Sequence, residues 1–125
     1  MRRAALLLTL ALPIAANADI VDIEWADGTF THKASIVPKK FLEVCGKQKK
    51  GDVVAWKFKG GAPTDFNIHY HLGKEVRYPE NRKEVASAEG TLAVALDQDY
   101  CWMWSNRTGQ VVDLDVSLAQ TKPGK

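Results

Sequence analysis

The sequence predicts an all-β protein, an antiparallel β-sandwich of about eight short strands with one inter-strand disulfide. Three observations lead there. Apolar residues recur with period two in short runs bounded by Gly, Pro, Asn and Asp, which is the strand signature. No heptad, internal repeat or strong amphipathic helix interrupts those runs. Two cysteines, Cys45 and Cys101, stand far apart on two of the runs. The 125 residues, 46% hydrophobic and 26% charged, suffice for one core and no second domain.

The chain opens with MRRAALLLTLALPIAANA, which is two arginines, an apolar run and an A-x-A site. That order is a secretory signal peptide, so residues 1–18 are excluded from the fold and residues 19–125 form the single domain. The apolar run is shorter than the roughly 20 residues that a membrane span needs. Without Arg2 and Arg3 the 17 basic residues fall to match the 15 acidic ones. A nucleic-acid binder would carry a basic excess. The expectation is a periplasmic or secreted protein with no nucleic-acid partner and no membrane insertion.

The strands follow in order. IVDIEW and FTHKASIV flank Asp27-Gly28, a favoured hairpin pair. FLEVC is the next strand. In VVAWKF, Val54, Trp56 and Phe58 share a face, and a turn is expected at Gly60-Gly61-Ala62-Pro63. DFNIHYHL then sends Phe66, Ile68, Tyr70 and Leu72 one way and Asn67, His69 and His71 the other. Leu72-Gly73-Lys74 is a hairpin turn leading to a strand from Glu75 to Tyr78. The polar stretch from Asn81 to Gly90 predicts a loop. GTLAVAL places Leu92, Val94 and Leu96 together. YCWMWSN sets Tyr100, Trp102 and Trp104 against Cys101, Met103 and Ser105. After a turn at Arg107-Thr108-Gly109, VVDLDVSL buries Val112, Leu114, Val116 and Leu118.

In an exported chain the default for Cys45 and Cys101 is a disulfide, which chain entropy values at about 4 kcal/mol. It is expected to tie the two sheets together. A copper-binding thiolate pair or a redox centre is the alternative, but neither cysteine has CxxC spacing.

Phe41 to Cys45, Gly51 to Phe58, and the late Tyr-Cys-aromatic strand from Tyr100 to Asn106 resemble the GOLD (Golgi-dynamics) β-sandwich. The resemblance runs from about Val37 to Leu118. It implies a similar disulfide and a binding module rather than an enzyme, and carries over no catalytic residue. GOLD modules of cargo receptors continue into a coiled coil and a membrane span. Here the expectation is a stand-alone exported version, with an A-x-A signal of bacterial type. A cupredoxin-like sandwich is the fold alternative, but the last strand lacks the His that a blue-copper site needs.

The sharpest candidate site is Asn67-Ile68-His69-Tyr70-His71. Residues two apart on a strand project from one face, so His69 and His71 point together, and neutral imidazole suits copper, zinc or nickel. Glu75, across the hairpin turn, and the thioether of Met103 are candidate third ligands. Trp102 and Trp104 would offer indole faces to a Cu(I) ion. Met103 shares its strand face with Cys101, so a disulfide crossing the core would draw Met103 inward. His32 is an isolated histidine, expected to be exposed, that would join only if the first hairpin packed over the pair. These residues predict a copper-binding protein for metal storage, delivery or resistance. The alternative is a metal-free module holding a protein or small ligand through an edge strand or an aromatic face drawn from Trp56, Tyr70, Tyr78, Tyr100, Trp102 and Trp104.

Enzyme readings find little. Ser35, Ser87, Ser105 and Ser117 lack a G-x-S-x-G context, and no P-loop, dinucleotide fingerprint or H-E-x-x-H occurs. Asn106-Arg107-Thr108 matches an N-glycosylation acceptor, which in a bacterium is chance.

Overall fold

A computed structural model describes residues 18–121. The predicted signal segment lies outside the described residues, except for Ala18, which opens the first strand. The strands are β1 (Ala18–Asp22), β2 (Thr29–Ile36), β3 (Phe41–Gln48), β4 (Val53–Leu72), β5 (Glu75–Ala93), β6 (Gln98–Ser105) and β7 (Val112–Thr121). No helix occurs among the described residues.

The architecture turns on one long hairpin. β4 is a single strand of 20 residues that pairs with β5 along its length. Its first half, Val53 to Gly60, also pairs with β7, and β7 pairs with β2. Its second half, Asp65 to His69, pairs instead with β6, and the order continues through β3 to β1. The hairpin therefore bends between residues 60 and 64 and supplies strands to two facing sheets. The strands form one continuous sheet in the order β1-β3-β6-β4-β7-β2, with β5 beside β4, folded over at this bend; its half β2-β7-β4-β5 is the first sheet and its half β1-β3-β6-β4-β5 the second. All pairs are antiparallel except β1 with β3.

Three expectations are corrected here. The turn predicted at residues 60–63 is a bend within β4. A Cβ at Gly60 would come within 2.9 Å of the Ala86 carbonyl and 3.0 Å of the Ala62 carbonyl, so only glycine lets the strand fold over at that point. The loop predicted from Asn81 to Gly90 belongs to β5. As an edge strand with β4 as its one neighbour, β5 keeps a polar sequence and turns small residues inward. Gly90 leaves room for the Trp56 indole, which a Cβ there would approach to 2.5 Å.

The third concerns the first hairpin. Its turn forms as predicted, with Asp27 and Gly28 at φ 51° and 74° and an Ala26–Thr29 bridge. The flanking strands then part, β1 into the second sheet and β2 into the first. Val21, Ile23 and Trp25 pack against the core on the way, and that burial draws the segment away from β2.

Elsewhere burial follows the predicted alternation except at the ends of two predicted rows, where Leu72 and Leu96 are 41% and 40% exposed. Val54, Trp56 and Phe58 from the first half of β4 meet Phe66 and Ile68 from the second across the sandwich. Phe58 and Phe66 lie 4.7 Å apart between ring centres, Phe66 and Trp104 5.4 Å, and Trp56 and Phe66 4.9 Å. Aromatic pairs at such separations add about 0.5–1.5 kcal/mol each beyond their buried area. The strand is thus folded onto itself by its own aromatic residues.

The Cys45–Cys101 disulfide forms, closing a separation of 56 residues. The two are register partners on neighbouring strands β3 and β6, with Cα atoms 4.1 Å apart. It staples one sheet on its outer face and does not join the two sheets as expected. The reason is strand parity. Val44 and Trp102 take the inward positions, which leaves Cys45 and Cys101 outward.

Asn106 is buried and latches the β6–β7 loop. Its amide nitrogen donates to the carbonyls of Ile36 (2.8 Å) and Gln110 (2.7 Å), and its oxygen accepts from the Thr108 amide (2.9 Å). An acceptor asparagine must be exposed, so the sequon match is structural rather than a glycosylation site.

Candidate functional site

The outer face of the second sheet carries an unusual polar group. β3 contributes Glu43, β6 contributes Met103 and Cys101, and β4 contributes Asn67 and His69. Register places Glu43 and Asn67 on either side of Met103, and Cys45 and His69 on either side of Cys101. The bulge in β5 between its pairings with Tyr70 and Ile68 admits an extra residue, and Tyr78 from that segment lies 6.0 Å from His69 between ring centres. On an outer face these positions would ordinarily be exposed, but the side chains lie over one another and His69 retains only 5% of its surface.

His69 is held at both ring nitrogens. Nδ1 lies 2.7 Å from Asn67 Oδ1, and Nε2 lies 3.2 Å from Glu43 Oε1. Burial lowers its pKa below the ordinary histidine value. The Glu43 carboxylate pulls upward, and His71 pushes it down again. The ring is therefore neutral at neutral pH, with one N–H to give. His71 sits beside it, ring centres 5.5 Å apart and planes at 85°, and is itself exposed.

The structure brings together part of the predicted site. His69, His71 and Met103 share one face. Met103 faces outward with the disulfide and not into the core. Glu75 is elsewhere: its register partner is Leu72, which puts it on the opposite face from His71, and its carboxylate accepts from Arg77 at 2.6 Å. Trp102 and Trp104 are fully buried on the inner face, behind the strand that presents Met103, so neither indole faces an ion bound there. His32 belongs to β2 in the other sheet, stacked on Phe30, and is no third ligand.

Glu43 and Asn67 were missed as partners of His69. The signal was present, because Glu43 stands two residues before Cys45 and so shares its face. The expected aromatic face is also corrected. Trp56, Tyr100, Trp102 and Trp104 are core, Tyr70 packs 5.0 Å from Tyr100, and of the six only Tyr78 is exposed. Tyr78 instead joins Leu72 and Val76 at the tip of the β4–β5 hairpin, where the three are 53%, 41% and 37% exposed.

These features define a class of protein: a small, disulfide-stapled β-sandwich whose distinctive side chains lie on one outer sheet face and the hairpin tip beside it. No protein-family model matches the chain, and no curated protein matches it in sequence. Solved structures do share its fold. It is similar to PliG of Aeromonas hydrophila, a periplasmic inhibitor of g-type lysozyme, with TM-score 0.64, 15% identity and coverage of 84% of this chain and 98% of that one. It is similar to a mutant of the Escherichia coli PliG, also a periplasmic inhibitor of g-type lysozyme, at TM-score 0.56, 12% identity, and coverage of 85% and 100%. A pre-peptidase C-terminal domain of a Bacillus anthracis collagenase matches at TM-score 0.54 and 10% identity, covering 83% and 94%.

At these identities the likeness is one of fold. It supports the β-sandwich that the GOLD resemblance implied, though not the GOLD module itself. Both PliG proteins are periplasmic, and the disulfide agrees with the exported location predicted from the amino-terminal segment.

Proposed function

We propose that this chain is an exported protein-interaction module whose partner is a lysozyme-class enzyme, and that it blocks that enzyme by docking the β4–β5 hairpin. The observation that carries this reading is an apolar hairpin tip displayed on a fold shared almost end to end with two lysozyme inhibitors. Leu72, Val76 and Tyr78 are large apolar or aromatic side chains left in water at one hairpin tip, Val76 opposite His71 on the outer face and Leu72 on the other side of the hairpin, and exposed apolar groups of this kind are what interaction surfaces use. A tyrosine at the tip suits a binding anchor, since its ring and hydroxyl serve an apolar pocket with a wet rim. The copper storage or delivery role expected from the histidine pair draws no support from the comparisons.

The test is a titration of g-type lysozyme with the purified, disulfide-intact chain, followed by the clearing of a peptidoglycan suspension. Inhibition that saturates near one chain per enzyme is expected. Tyr78→Ala and Leu72→Asp should each weaken it at least tenfold while leaving the melting temperature unchanged. Absence of inhibition by the folded chain, or inhibition indifferent to both substitutions, would reject the reading.

A further inference from the structure

We infer that two copies of this chain associate edge to edge through β2, antiparallel, with Thr31 of each copy opposite Lys33 of the other, so that their first sheets continue into one another. This surface is independent of the inhibitor reading.

Three strands have a free edge, and they are not equally defended. β5, which pairs with β4 alone, carries Pro79, register shifts and the charges Glu80, Arg82, Lys83 and Glu84. β1 has only five residues, pairs in parallel with β3 and holds Asp19 and Asp22. Proline, bulges, short length and charge are the devices that stop a sheet edge from recruiting another strand. β2 is eight residues long, pairs with β7 without irregularity and contains no proline. Lys33 is its one lysine, arginine or acidic residue.

The β2 edge is bare because the first hairpin parts. Ala26 and Thr29 exchange both backbone hydrogen bonds across the turn, and the Gly28 carbonyl accepts from the Gln120 amide on the β7 side. Backbone groups alternate in direction along an antiparallel strand, so Phe30, His32 and Ala34 turn theirs to β7, while Thr31, Lys33 and Ser35 turn theirs outward. On the far side of Ala26 the chain departs to bury Val21, Ile23 and Trp25. Among the described residues no backbone group takes up those of Thr31, Lys33 and Ser35, and all three residues are exposed.

The occupant that fits is a second β2. Thr31 and Lys33 of the second copy then exchange bonds in both directions, and a two-fold axis passes by His32. On the inner side Phe30 meets Ala34 of the second copy and Ala34 meets its Phe30, so a large side chain faces a small one each time. His32 meets its own copy, and a neutral imidazole both donates and accepts. On the outer side Lys33 meets a threonine and keeps Asp115 of its own chain at 3.8 Å, in water. A slide of two residues one way sets Lys33 against Lys33, which like charge disfavours. A slide the other way sets Thr29 against Lys33, and Thr29 is already bonded to Ala26. A slide of one residue turns the inner row outward. The strand is therefore complementary to itself in one register.

The test is sedimentation equilibrium of the disulfide-intact chain from micromolar to millimolar concentration. A reversible equilibrium between monomer and dimer is expected. Thr31→Pro removes an N–H that the β7 ladder does not use, and Thr31→Lys sets lysine against Lys33 of the second copy. Each should weaken the dimer at least tenfold, whereas Tyr78→Ala at the hairpin tip should leave it unchanged. Position 31 is exposed, so Thr31→Lys should melt close to the parent in dilute solution, which keeps the test valid should the proline variant fail to fold. The amides of Thr31 and Lys33 should exchange more slowly as concentration rises, while that of His32, turned to β7, is slow throughout. A monomer at every concentration, a dimer indifferent to Thr31→Lys, or a dimer lost in Tyr78→Ala would overturn the proposal.

Discussion

The outer faces of the two sheets are built from the same alternation and treat water differently. On the first, Lys33, Lys57, Lys59, Asp113, Asp115 and Ser117 are all exposed. The Lys33–Asp115 pair is loose, at 3.8 Å with side chains 88% and 56% exposed, and the closer Ser35–Asp113 hydrogen bond, at 2.6 Å, is itself exposed to solvent. On the second, Glu43, Cys45, Asn67, His69, Cys101 and Met103 occupy the equivalent outward positions and none is exposed. The first face is a solvated surface, and its charges do little beyond keeping it wet. The second is a thin additional layer in which a disulfide, a thioether and a histidine between two polar partners cover one another. Outward on a strand does not mean exposed.

This comparison can be broken or sharpened by substitution. The largest effect is expected from removing the staple. Cys45→Ala with Cys101→Ala should lower unfolding free energy by about 4 kcal/mol, read by denaturant titration. His69→Ala should come next, at about 2 kcal/mol, because it leaves the Glu43 carboxylate and the Asn67 amide without their shared partner in a poorly hydrated place. A third prediction concerns the top of the sandwich, where Asp65 accepts from the Glu84 amide and from Arg107, with Lys83 nearby. Burial works to raise that carboxyl, yet these partners together hold it below its ordinary value of 3.8. Its contribution to stability should be complete above that value and lost as pH falls through the lowered one, and Arg107→Ala should shrink the loss in acid melts. The smallest effect belongs to the first face: Asp115→Ala should change stability by no more than about 0.5 kcal/mol. A cost there equal to that of His69→Ala would erase the distinction between the faces.

Much of the sandwich was legible in the residues. Period-two alternation located the inner rows of β4, β6 and β7, because a half-buried strand must segregate its side chains. The pairing of Cys45 with Cys101 was legible too, but its placement was not. A period of two says which residues share a face and leaves open which strand is the neighbour. Once Cys45 is set opposite Cys101, the register carries Glu43 to Met103, but bringing His69 to Cys101 takes the separate pairing of β4 with β6, which the alternation does not specify. Residues 60–63 were misread because Gly-Gly-Ala-Pro suits both a turn and a bend, and only the packing of Phe58 on Phe66 selects the bend. Residues 81–90 were misread because an edge strand has no need of the apolar pattern that marks a central one.

The central claim is that the second sheet and its hairpin tip are the working surface. The most direct measurement is amide hydrogen exchange of the chain alone and bound to g-type lysozyme. The account predicts new protection in the hairpin residues 70–78 and along the outward side of β3 and β6, with no change around Lys33, Lys59 and Asp115. Protection centred on the first sheet's outer face, or no binding at all, would contradict it.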